Sequence, residues 1–205
     1  MYEVLNNFIY EYIQTHTQDR PPVCSLEKYT AFCYNYPKRG EDMMFRQMRR
    51  IKQQLSVEAC GKILINEPRG VLAVLGDDDY PYTVPLDFIY SDGRIYFHGA
   101  GQGHKMDAIK KHDKVSFCVM DEGFRREGEW ALNISSVIVF GRIKEVTDVG
   151  VKEEKLRLLG LKYNPDPQDV EDEVKRYIDI EKNIDRVTIL ELTPEHMTGK
   201  LVNES

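Results

Sequence analysis

The chain has 205 residues, of which 41% are hydrophobic and 30% charged, and its formal net charge is −6. That length suits one domain with an extension and can bury a sizeable core. There is no basic footprint of the kind nucleic acid requires and no apolar run long enough to span a membrane, so neither is an expected partner.

The four cysteines, Cys24, Cys33, Cys60 and Cys118, form no C-x-x-C pair. Their spacing fits neither a metal module nor a disulfide framework, so free thiols in a reducing cytosol are expected. Acidic and polar residues interrupt the apolar pattern at the N-terminus, which is unlike a signal peptide. The expected location is therefore cytoplasmic, and no metal is expected.

In residues 2–15, Val4, Leu5, Phe8, Ile9, Tyr12 and Ile13 recur at helical spacing, and Arg20-Pro21-Pro22 ends that pattern. Ser25 heads a second short helix with Leu26, Tyr29, Phe32 and Cys33 on one face, before a linker at residues 36–40. Residues 1–42 thus read as a helical extension, and residues 43–205 as the main domain. Ser56 is placed to cap a helix carrying Val57, Cys60, Ile63 and Leu64.

Strands follow. Residues 70–75 are a short apolar run, Asp77-Asp78-Asp79 a turn, and residues 81–90 an alternating run with Tyr82, Val84, Leu86, Phe88 and Tyr90 on one face. Asp92-Gly93 signals a two-residue hairpin, completed by residues 94–98. Gly101, Gln102 and Gly103 break the sheet ahead of a helix at residues 104–112 with Met106 and Ile109 inward. Residues 114–120 read as a strand, 121–129 as a charged loop and 133–147 as a long β-branched strand. Helices are expected at 151–163 and 169–183, then a last strand at 186–192 and a polar tail. The pattern is α+β, mainly β, with about six mostly antiparallel strands; closure into a barrel would remove their edges.

The residues with chemical potential cluster between Tyr82 and Lys105. Three glycines in five residues, Gly99 to Gly103, let the backbone approach a ligand closely, although a plain glycine turn has the same composition. The helix that starts near His104 offers free amides and a positive dipole end to an anion. Lys105 sits in that first turn, where the dipole disfavours a cation unless an anion lies between. Pro85 marks an edge or irregular strand position, or a strand whose free polar groups face a flat heterocycle. His98 ends a strand and is open to four roles: structural, phosphate contact, electrostatic group over a substrate, or haem ligand. No hydrolytic apparatus is visible.

Met48-Arg49-Arg50, Gly70-Val71-Leu72-Ala73, Pro81 to Phe88, Gly93 to Ala100, Gly103-His104-Lys105 and Ser136-Val137-Ile138-Val139-Phe140-Gly141 together resemble the nitroimidazole-resistance (Nim) proteins. These are pyridoxamine 5′-phosphate oxidase-like FMN-binding proteins. The resemblance covers about residues 43–165 and, more loosely, the last strand. It implies a six-stranded antiparallel split β-barrel with flanking helices, and a homodimer with FMN at the interface. It places the flavin along Tyr82, Thr83, Val84, Pro85 and Leu86, and the phosphate by Phe97, His98, Gly99, Gly103, His104 and Lys105. Ser135 and Ser136 complete the ribityl or phosphate site. The implied activity is FMN-dependent reduction of nitroaromatic or related small molecules, with a pyridine nucleotide as one possible donor and His98 as the catalytic candidate. Two departures matter. Residues 193–205 lack the arginine-histidine signature of a true pyridoxamine phosphate oxidase, and His104 stands where arginine is common. The alternative reading is a flavin- or haem-binding barrel without turnover. Trp130 and residues 121–129 are candidates for the dimer interface.

Overall fold

The computed structural model describes residues 45–164, 166–179, 184–185 and 187–203. The helical extension and the boundary expected near residue 42 lie outside the described residues. Ser56 caps the first described helix, α1 (Val57–Asn66), its hydroxyl accepting the Ala59 N–H at 3.1 Å. α1 buries Cys60 and Leu64 against the sheet.

Strands β1 (Arg69–Leu75) and β2 (Pro81–Asp87) pair antiparallel across the three-aspartate turn, where Asp78 and Asp79 take φ of 52° and 58°. Aspartate is among the few side chains that tolerate that region. Phe88 alone separates β2 from β3 (Ile89–Ser91). Asp92 and Gly93, at φ 53° and 72°, then make the tight hairpin into β4 (Arg94–Gly99). After α2 (His104–Lys111) come β5 (Lys114–Met120), the short β6 (Phe124–Arg125) and the long β7 (Leu132–Glu145). Helices α3 (Val149–Tyr163) and α4 (Pro167–Tyr177) and a small β8–β9 hairpin (Ile178–Asp179, Ile184–Asp185) precede β10 (Thr188–Asn203).

The main sheet runs β2-β1-β5-β7-β10-β4-β3, with β6 paired to β7. Its two ends, β2 and β3, are joined by one residue, so the sheet has to curl until its ends come together there, although no ladder pairs them and β2 remains an edge. The result is a barrel with a split at Phe88. The six strands expected from sequence become seven on this path because residues 81–90 break there. Phe88 is fully buried, and α3 satisfies its backbone: its N–H donates to Tyr163 Oη at 2.9 Å, and its carbonyl accepts from Lys162 Nζ and Tyr163 Oη, each at 3.0 Å.

Leu72, Phe88, Ile95, Phe97, Phe117, Val137 and Leu192 fill the barrel. A second core, with Ile89, Tyr96, Leu159, Val174 and Ile189, lies between the outer face of β3, β4 and β10 and the helices α3 and α4. Ile95, Tyr96 and Phe97 are consequently all buried. Ile95 and Phe97 face the barrel and Tyr96 the second core, so the faces alternate while both are covered.

Two sequence expectations need correction. The polar tail from residue 193 is the greater part of β10, a 16-residue strand paired along β7 with a register shift between Pro194 and His196. The last helix ends at Tyr177, and β8 (Ile178–Asp179) occupies positions assigned to it. Among the described residues, no helix is long and apolar enough to cross a membrane.

Candidate functional site

β4 ends in Gly99, and the chain turns through Gly101 and Gly103 into α2. Gly103 occupies the N-cap position with φ 104°, ψ 175°, a conformation that needs glycine, and no side chain caps the helix there. A Cβ on Gly103 would meet nothing within 4 Å, so there is open space beside the start of the helix. Lys105 folds back over Gly99: its Nζ lies 3.0 Å from where a Gly99 Cβ would stand. Lys105 is half-buried, and burial pulls its pKa down from the usual lysine range. Among the described residues it has no ion-pair or hydrogen-bond partner. The lysine and the helix end are both of the sign that attracts an anion.

His104 is turned elsewhere. Its ring stacks on Tyr82 with centroids 4.1 Å apart, and its Nε2 is 3.6 Å from Asp77 Oδ2. Thr83 and Pro85 are exposed on β2, whereas Val84 and Leu86 are partly buried. Because β2 ends the sheet, Pro85 does stand on an edge strand. Phe97, expected to contact cofactor, is instead a barrel-core residue, fully buried edge-on to Phe117 with centroids 5.0 Å apart.

His98 is exposed and has no hydrogen-bond partner among the described residues, unlike a histidine held by backbone. It lines a cavity of about 450 Å³ with Asp87, Gly99 and Ala100 on one side and residues of α3 and α4 on the other. Sequence reasoning assigned α3 and α4 no role at a site; nothing in their composition signals that they roof a cavity.

Ser135 and Ser136 are far from this cluster. Ser136 pairs with Lys200 of β10, whereas His98 pairs with Ile189 of the same strand. Along an extended strand that separation is roughly 35 Å. The Ser135 N–H donates to Asp121 Oδ1 at 2.8 Å. A single chain therefore unites Tyr82 with His104, and His98, Gly99, Gly103 and Lys105 with one another, but not the serines.

The family model described as pyridoxamine 5′-phosphate oxidase matches residues 56–201. The chain belongs to that family. Solved structures with the same fold include a candidate 5-nitroimidazole antibiotic resistance protein from Bacteroides thetaiotaomicron, 16% identical, with TM-score 0.59 over 73% of this chain and 87% of that one. A FAD and heme binding protein from Mycobacterium smegmatis is 19% identical, with TM-score 0.58 over 75% of this chain and 74% of that one. A conserved hypothetical protein from Mycobacterium tuberculosis is 15% identical, with TM-score 0.62 over 75% and 90%. No curated protein sequence matches the chain.

Proposed function

We propose that this chain binds FMN and acts as a homodimeric oxidoreductase that reduces nitroaromatic molecules, such as 5-nitroimidazoles, or related small molecules. The observation that carries the reading is Lys105, a half-buried cation without a partner among the described residues, beside an uncapped helix N-terminus and over Gly99. That cradle fits the phosphate of a flavin mononucleotide. FMN, when bound, supplies a carrier that accepts electrons from a reductant such as a pyridine nucleotide and passes them to the substrate.

The protein's own contribution is positional and electrostatic. Lys105 and the α2 amides hold the phosphate end. The open edge of β2 at Thr83 to Leu86 offers backbone groups to the ring. His98, exposed at the cavity, is the group able to hold or give a proton to a reduced substrate.

A homodimer is favoured by two features. Pro85, Val71, Cys118 and Ile138 are successive register partners across β2, β1, β5 and β7, and all are exposed, forming an apolar row on the outer sheet face. A second copy over that face supplies the Ser135 and Ser136 that one chain cannot bring to its own Lys105.

The test is a visible spectrum of the purified chain, with FMN added, during size-exclusion chromatography. Flavin bands eluting with a dimer, followed by pyridine-nucleotide-dependent loss of a 5-nitroimidazole that falls in His98→Ala, support the reading. A Soret band would favour haem, and failure to take up any chromophore would overturn the site.

A further inference from the structure

We propose that the cavity between β4 and the α3–α4 pair is a specificity pocket for a small, apolar-bodied molecule that is neutral or cationic, and that it turns anions away. The inference rests on the flavin reading for placing this pocket beside the reacting group; its binding chemistry stands on the cavity alone. Leu156, Leu159, Val170, Val174 and Val187 give apolar walls to a space of about 450 Å³. Such a volume, walled mainly by aliphatic side chains with few polar groups, suits a small organic ligand.

The polar side chains at its edge are Asp87, His98, Asn164 and Glu173, and the two that carry a full charge at pH 8 are carboxylates. Asp87 and Glu173 line it, and among the described residues no lysine or arginine does. Arg69 Nε holds Asp87 Oδ1 at 2.9 Å, which leaves the second carboxylate oxygen for a donor. Glu173, on α4, is exposed and has no partner among the described residues. Tyr163 contributes its ring, since its hydroxyl is turned to the backbone of Pro68 and Phe88.

Gly99 and Ala100 form a boundary. On one side lie Lys105 and the α2 N-terminus, both of positive sign; on the other lies this pocket with the Arg69-paired Asp87 and the Glu173 carboxylate. A substrate bearing its own phosphate or carboxylate would be repelled from the pocket and drawn to the cradle. A neutral or basic ring escapes that competition.

The full chain, with and without FMN, is to be titrated calorimetrically at pH 8 with benzylamine, benzyl alcohol and benzoate, which share one ring and differ in charge. Benzylamine is expected to bind about tenfold more tightly than benzoate, with benzyl alcohol between them. Glu173→Lys should shrink that ratio at least about threefold while FMN affinity stays the same, and Glu173→Gln should fall between. Both variants change an exposed side chain, so folding should be kept. Equal or tighter benzoate binding, a ratio indifferent to Glu173, or no binding of any probe would overturn the inference. Preference for benzylamine in a chain that takes up no FMN would uphold the pocket and sink the flavin reading, so the two fail separately.

Discussion

Lys105 and Lys162 are both half-buried lysines whose pKa is lowered by burial, yet their surroundings differ. Lys162 lies at the split in the barrel. It donates to the Glu67 carbonyl at 2.7 Å and the Phe88 carbonyl at 3.0 Å, and stands 4.2 Å above the centroid of the Phe88 ring. Lys105 lies at the start of α2 with no such company among the described residues. Burying a polar group is costly unless it is hydrogen-bonded. A buried cation whose donors are used is part of the architecture; one whose donors find no partner among the described residues is, on the proposed reading, where a ligand anion binds.

The largest effect that can break this contrast is on stability against pH. Burial lowers the Lys162 pKa to about 8 from 10.5. Below pH 8 both folded and unfolded states carry the charge, and the full desolvation cost is present. Between pH 8 and 10.5 the folded state releases its proton first, so this lysine's contribution becomes more favourable as pH rises, by about 2–3 kcal/mol. Cys60, whose thiol burial pushes up to about 11, acts in the opposite direction between pH 9 and 11. The quantity to measure is therefore the difference in urea-unfolding free energy between wild type and Lys162→Met from pH 7 to 10.5. That difference should move in favour of wild type as pH rises; a flat difference would mean that the clamp at the split is not as described.

Next in size is Tyr163→Phe. It removes the acceptor for the buried Phe88 N–H and should cost about 1–3 kcal/mol in denaturant unfolding. FMN affinity should change little, since the lesion lies at the split. Gly103→Ala is smaller in stability, about 1–2 kcal/mol, because alanine is strained at φ 104°. Its sharper signature is at the cradle: flavin affinity should fall more than stability alone explains. Equal FMN titration curves for wild type and Gly103→Ala would separate the helix start from the anion site.

Local signals were legible in the sequence wherever one or two residues decide the backbone. Ser56 capped its helix, Asp92-Gly93 made its hairpin, and Pro85 fell on an edge strand. The missing half of β10 was hidden because Thr193-Pro194-Glu195-His196 is polar, contains a proline and spans a register shift. Its strand character comes from pairing with β7, a partner distant in sequence, and not from local propensity. The break at Phe88 was also invisible, since it follows from sheet closure and not from the alternation of residues 81–90.

At the site, the glycines and Lys105 were legible because conformational need and charge placement show in composition. The helical walls of the cavity and the inward turn of Phe97 were not: they depend on which face of β4 meets α3, and a strand covered on both faces loses its alternation of buried and exposed residues. The distance between the serines and Lys105 is a matter of register, which becomes visible only once β10 is a full-length strand.

The most direct test of the central claim is a paired FMN titration of wild type and Lys105→Ala, followed by flavin fluorescence, with unfolding measured alongside. If Lys105 completes a phosphate site, FMN affinity falls at least about tenfold while stability holds or rises, because a half-buried cation with no partner among the described residues has been removed. Equal FMN affinities, or a loss of stability comparable to that of Tyr163→Phe, would contradict the account: Lys105 would then belong to the architecture, as Lys162 does.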